Sequence, residues 1–260
     1  MNGKVLLTVS FCGTAYCGYQ VQPNGVTVQE MLNKAAEALF GYPCDVVGCS
    51  RTDSGVHARR FCATIAKKGE RTLPTAIGIE RIPRAMNAHL PADIAVREAR
   101  EVPPDFHARY DVAYKEYEYL IWNGRERDPF MEGRAWHIPV PIGESELAAM
   151  RAAAAHFVGK RDFAAFCAAS ADTADSDTVR RVTRAEITRE GDLISFRVRA
   201  DGFLYNMVRI MVGTLADVAA GRIVPDAIEE ILASRDRRKA GSTAPACGLY
   251  LDQVSYEKED

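Results

Sequence analysis

Apolar and polar positions alternate or recur with short periods along most of the chain, and the pattern breaks at glycine and proline. Val5 to Phe11 reads as a strand, and a loop rich in Gly, Tyr and Pro follows from Cys12 to Val26. Thr27 then opens a helix with a capping box, because Glu30 lies one turn on. Val28, Met31, Leu32, Ala35 and Leu39 form its apolar stripe, and Gly41 with Pro43 ends it. Asp45 to Cys49 and Phe61 to Ala66 read as strands on either side of a turn. Lys67 to Thr75 is a polar loop, expected to be mobile. A further helix ends near His89-Leu90-Pro91, and Ile94 to Ala99 is extended. The first half is therefore β-α-β-β-α-β in outline.

Val102-Pro103-Pro104-Asp105 interrupts this order, since paired prolines suit neither helix nor sheet, and two domains are expected, 1–103 and 104–260. The second half restarts with a strand from Val112 to Trp122, in which Glu116 and Glu118 alternate with Lys115, Tyr117 and Tyr119. Glu144 to Phe157 is an alanine-rich helix stopped by Gly159. Ala168 to Thr178 is small, acidic and aperiodic, hence a flexible loop. Val182 to Glu190 and Leu193 to Ala200 flank Gly191-Asp192 and read as a two-residue hairpin. Leu204 to Ala220 is apolar nearly all round, which predicts a buried helix closed by Gly221. A short helix from Asp226 to Ala233 and a last strand from Leu249 to Tyr256 complete the chain. Helices mixed with mainly antiparallel strands in both halves make the fold class α+β, two domains with related layouts.

Composition narrows the functional classes. The 260 residues are 47% hydrophobic and 26% charged, as in a globular protein with a full core. No apolar run reaches membrane-spanning length, and no signal-peptide pattern opens the chain, so a cytoplasmic protein is expected. Seven scattered cysteines do not form a disulfide framework. The Cys12/Cys17 and Cys44/Cys49 spacings are open to zinc, but small buried thiols explain them more simply, and no metal is expected. Net charge is −2, with basic clusters at Arg59-Arg60, Lys67-Lys68 with Arg71, Arg180-Arg181 with Arg184, and Arg235 to Lys239. Segregation of that kind permits a basic groove on a mildly acidic protein.

The stretch that carries most chemistry is Ser50-Arg51-Thr52-Asp53-Ser54-Gly55-Val56-His57. In an extended segment Arg51 and Asp53 share a face, and Gly55 permits the reversal. A carboxylate beside a cation stays ionised and can act as nucleophile or base, although a turn aspartate can equally bond nearby backbone. Asp53-Ser54-Gly55 also matches the aspartic-protease signature, but no second copy exists to share a proton. Arg209 lies within the most apolar helix and needs a carboxylate, carbonyls or a snorkelling path; Asp53, Asp201 and Asp217 are candidate partners. Lys115, Tyr117 and Tyr119 share a strand face that can stack a nucleobase or simply pack across strands.

Taken in order, Tyr16-Cys17-Gly18-Tyr19-Gln20, Val28-Gln29-Glu30, Gly48 to Ala58, Pro104 to Arg109, Lys115 to Tyr119, Asp162-Phe163, Phe203 to Gly213 and Ala246 to Leu251 closely resemble the bacterial tRNA pseudouridine synthase A family. The resemblance implies the pseudouridine synthase fold, with sheets carrying helices on one face and a cleft between two related domains. It implies a cofactor-free isomerase that converts uridine to pseudouridine at positions 38, 39 and 40 of the tRNA anticodon arm. It also implies a homodimer with one tRNA reaching across both subunits. By position, Asp53 matches the family's catalytic aspartate and Arg51 the arginine that expels and holds the target nucleotide. Tyr117 matches the tyrosine stacked on the uracil, Arg209 the arginine paired with the aspartate, and Leu249 an apolar residue on the flipped base. Tyr19 stands where tryptophan is common and Ser54 where alanine is frequent. The 66–81 stretch is longer than in many members. The alternative is a non-catalytic RNA-binding module that uses the Lys115-Tyr117-Tyr119 face.

Overall fold

The structure is a computed structural model that describes residues 3–168 and 177–257. Its contacts divide the chain into two compact units. One runs from the chain start to Ala113 and takes back the end from Tyr250; the other is Tyr114–Leu249. This division differs from the expected joint at Pro103-Pro104: the last strand pairs in parallel with a strand of the first unit, at His57 and Ala58.

In the first unit, β1 (Lys4–Phe11) lies between β4 (Ile94–Val102) and β3 (His57–Lys67), antiparallel to both. The other edge of β3 is shared. β2 (Cys44–Gly48) pairs antiparallel with Ala63 to Lys67, and β10 (Leu249–Ser255) pairs in parallel at His57 and Ala58. β3 begins four residues before the predicted Phe61, so it leaves the turn at once. Helix α1 (Val28–Phe40) starts as the capping box requires, with the Glu30 amide donating to the Thr27 hydroxyl at 3.3 Å. It stops at Gly41 in the left-handed region. Val28, Leu32, Ala35 and Ala36 form its buried stripe, with Met31 and Leu39 half-buried. Helix α2 (Ile82–Asn87) carries Pro83 in its first turn, where a missing N–H costs nothing. The polar 67–75 loop is tied down at Leu73, which is fully buried and donates its amide to the Gly3 carbonyl.

The second unit is built on β5 (Tyr114–Trp122), β9 (Leu193–Ala200), β8 (Val179–Glu190) and β7 (Gly159–Asp162), each antiparallel to the next. The short β6 (Trp136–His137) pairs in parallel with β5. Glu190 opposite Leu193 confirms the two-residue hairpin at Gly191-Asp192. Helices α3 (Glu144–Ala155), α4 (Met207–Ala219) and α5 (Ala227–Ser234) complete the unit, with α3 and α4 packed together. Both units are thus α+β with mainly antiparallel sheets. Helix α4 begins at Met207 and not at the predicted Leu204, because Asn206 has φ 58° and a right-handed helix cannot run through it. Most of the acidic Ala168 to Thr178 loop lies outside the described residues, as does the acidic chain end beyond Glu257. No helix among the described residues is long and apolar enough to cross a membrane.

Candidate active site

The first unit presents the Asp53 turn. β2 ends at Gly48, the Cys49 amide still reaches the Cys62 carbonyl at 2.8 Å, and the chain then leaves the ladder until His57. Inside this excursion the Val56 amide donates to the Asp53 carbonyl at 3.2 Å, and Gly55 takes φ 81°, the reversal expected of it. Arg51 is exposed and Asp53 half-buried. Asp53 therefore sits where a solute can approach, on backbone that is closed upon itself.

A second segment clamps the turn from outside. The Tyr19 amide donates to the Thr52 carbonyl at 3.1 Å, and the Ser54 hydroxyl donates to the Tyr16 carbonyl at 3.1 Å. The Gly13 amide donates to Nδ1 of His57 at 3.0 Å. Tyr16 is itself fixed by its phenol, which donates to Asp93 at 2.6 Å; burial and that carboxylate push the phenol well above its ordinary range. Tyr19 stacks on Phe61 at 4.3 Å, and Phe11 leans on the same ring at 5.5 Å. The Gly-Tyr loop that precedes α1 is thus the mould for the Asp53 turn.

The second unit presents Tyr117, Arg209 and Leu249. Tyr117 is nearly buried and meets Phe203 edge-on, with ring centroids 5.0 Å apart. Tyr119, two positions along β5, is fully buried; its hydroxyl donates to the Pro245 carbonyl at 2.7 Å and its ring meets Trp136 at right angles. Tyr119 is therefore closed to a stacking base, whereas Tyr117 keeps a small exposed part, so the Lys115-Tyr117-Tyr119 face is not one continuous stacking platform. The opposite face holds Glu116 on Arg199 and Glu118 on Arg197, each at 3.0 Å.

Arg209 is half-buried on α4. Its Nε donates to the Ala244 carbonyl at 2.7 Å and a terminal nitrogen donates to Oδ1 of Asn206 at 2.9 Å, while the Arg209 carbonyl accepts from the Ala244 amide. Arg209 and Cys247 both lie within electrostatic reach of the Tyr119 phenol, which burial pushes upward. The 244–248 strap passes so close to β5 that a Cβ on Gly248 would stand 2.7 Å from the Leu120 carbonyl, and buried Leu249 follows directly. Tyr119, Arg209 and the approach to Leu249 are thereby joined through one strap. Asn206 and His57 were not singled out from the sequence. The only signal for Asn206 was its residue type, a polar Asn inside an apolar period, since Asn tolerates the left-handed region better than other non-glycine residues.

Much of the basic charge is spent internally: Arg59 on Asp252, Arg60 on Glu98, Lys67 on Glu70, Arg184 on Glu116 and Glu186, and Arg235 on Asp162. No group of three or more His, Cys, Asp or Glu among the described residues is placed to hold a metal ion.

Comparison with known proteins agrees across nearly the whole chain. The family model described as tRNA pseudouridine synthase matches residues 7–111 and 153–257. A protein of Moorella thermoacetica named tRNA pseudouridine synthase A is 45% identical over 252 residues, 96% of this chain and 98% of its own. One of the same name from a Thermoanaerobacter species is 42% identical, covering 97% and 99%. Another from Exiguobacterium sibiricum is 43% identical, covering 96% and 95%.

Proposed function

The chain belongs to the tRNA pseudouridine synthase A family, a family of isomerases, and we propose that it converts uridine to pseudouridine at positions 38, 39 and 40 of the tRNA anticodon arm. The observation that carries this reading is the Asp53 turn. A half-buried carboxylate is offered on a loop pinned by the Thr52 and Asp53 carbonyls and the Ser54 hydroxyl. Geometry held before substrate arrives is what a reaction on a weakly electrophilic sugar needs.

The isomerisation is redox-neutral. The bond between ribose C1′ and uracil N1 breaks, the base turns while held, C5 bonds to C1′ and gives up its proton to solvent, and N1 takes one up. The nucleotide must first leave its stack, at a cost of a few kcal/mol that is offset by contacts in the pocket. Asp53 then either attacks the sugar or removes a proton from its 2′ carbon. Arg51 helps to expel and hold the nucleotide, Tyr117 stacks on the loose uracil, and Leu249 packs against it. Arg209 keeps Asp53 ionised and oriented; its anchoring by Asn206 and Ala244 supports a guanidinium held in one direction. The working particle on this reading is a cytoplasmic homodimer, one tRNA reaching across both subunits. Incubation of the protein with an unmodified tRNA transcript, followed by mapping of pseudouridines, tests the reading. Modification confined to positions 38, 39 and 40 is expected; none, or modification only elsewhere, rejects it.

A further inference from the structure

His57 is 2% exposed at the first position of β3, directly after the Asp53 turn. Its Nδ1 lies 3.0 Å from the Gly13 amide. A backbone amide can only donate, so Nδ1 is the bare nitrogen and the ring proton sits on Nε2. Gly13 opens a short 3₁₀ turn, where an amide has no partner within its own helix. The imidazole supplies the missing acceptor from the far side of the turn.

Two further observations show that the contact sets backbone position. A Cβ on Gly13 would stand 2.0 Å from the Val56 carbonyl oxygen, so the two backbones touch with no side chain between them. Val56 in turn closes on the Asp53 carbonyl. The ring plane of His57 is held as well. Tyr250, its parallel partner on β10, stacks on it at 4.6 Å with 21° between planes. The guanidinium of Arg59 lies 4.4 Å from the Tyr250 ring centroid, and Arg59 is itself tied to Asp252 at 2.7 Å. His57, Tyr250, Arg59 and Asp252 thus form a ladder along two paired strands, its first rung aimed at Gly13.

We propose that His57 is a positioning residue for Asp53: its Nδ1 fastens the Gly13 segment to the Val56–His57 peptide and so sets the direction in which the carboxylate is offered. The inference rests on the reading of Asp53 as the acting group. Because the contact with Gly13 is made by Nδ1, two amides of nearly equal bulk separate it from packing. The amide oxygen of His57→Asn falls where Nδ1 stood, which makes that variant the mimic, whereas the amide of His57→Gln falls where Nε2 stood. Both lose the ring stack.

The test compares wild type, His57→Asn and His57→Gln for pseudouridine formation on a tRNA transcript, with Tm and amide hydrogen exchange at Gly13 measured alongside. The expected result is a kcat about tenfold to a hundredfold lower in His57→Gln at near wild-type KM, as for a small misplacement of a reacting group. His57→Asn recovers most of that kcat and keeps the Gly13 amide protected, although its Tm falls as far. Equal kcat in the two variants, or a Gly13 amide that exchanges equally slowly in both, overturns the positioning role. Wild-type protein that makes no pseudouridine sinks the isomerase reading, and this inference with it.

Discussion

Removing one oxygen atom from Tyr16 and one from Tyr19 should move stability in opposite directions. Both rings are buried beside the Asp53 turn, at 6% and 2% exposure. The Tyr16 hydroxyl donates to Asp93 at 2.6 Å, whereas the Tyr19 hydroxyl has no hydrogen-bond partner among the described residues. An unsatisfied buried hydroxyl costs about 1–3 kcal/mol. Deleting it leaves a void about one atom in size, worth only a few tenths of a kcal/mol. Tyr19→Phe is therefore expected to stabilise by about 1–2 kcal/mol, since the Phe61 stack and the bond from its amide to Thr52 are untouched. For a chain of this size that is a Tm rise of roughly 2–8 °C. Tyr16→Phe breaks a bond to a carboxylate and should cost about 1–3 kcal/mol. Thermal unfolding of both variants beside wild type, repeated in urea, reads the difference. A Tyr19→Phe protein less stable than wild type by about 1 kcal/mol or more would refute the reasoning, because it would mean that the hydroxyl is satisfied.

Asn206→Gly and Asn206→Ala both remove the amide that orients Arg209, but only alanine is strained at φ 58°, by about 1–2 kcal/mol. Both should lose turnover, with Tm falling further in Asn206→Ala than in Asn206→Gly; full activity in Asn206→Gly would dismiss the orienting role. Burial pushes the Cys62 and Cys44 thiols up to about 11. Their folded values lie above that of the unfolded chain, about 8.5. The stability they contribute is thus complete below that pH and is lost as pH rises through about 11. At pH near 8, iodoacetamide should label half-exposed Cys12 and Cys17 well before Cys44 and Cys62, and equal rates would contradict the burial. Affinity for tRNA should fall steeply with salt as phosphate contacts release counterions, and a flat response would argue against a basic binding face.

Elements with local causes were legible. Thr27 with Glu30 and Gly191-Asp192 each specify their geometry within a few residues, and both stand where the pattern put them. The start of α4 was missed because its hydrophobic period continues through Leu204, while the left-handed backbone of Asn206 leaves no trace in a periodicity. The return of the chain end to the first unit was illegible for a related reason: β10 joins β3 across most of the chain length, and no local composition reports that pairing. β6 and β7 are too short to show a period. At the site, Arg51-Thr52-Asp53 and Gly55 announced a turn through residue chemistry. The groups that hold that turn and Arg209 came from distant segments: Gly13, Tyr16 and Tyr19 for the one, Ala244 for the other. The charge clusters looked available in sequence because their acidic partners are distant as well, Arg59 on Asp252 being one case.

The role of Asp53 is open to one direct measurement. A uridine-containing tRNA transcript is held under saturating protein, either wild type or Asp53→Ala, and pseudouridine is followed through a single turnover with binding measured in parallel. Wild type is expected to convert the anticodon-arm uridines, and Asp53→Ala to bind the transcript with similar affinity yet form no pseudouridine. An Asp53→Ala protein that converts them at a rate near that of wild type would contradict the assignment of the reaction to this carboxylate.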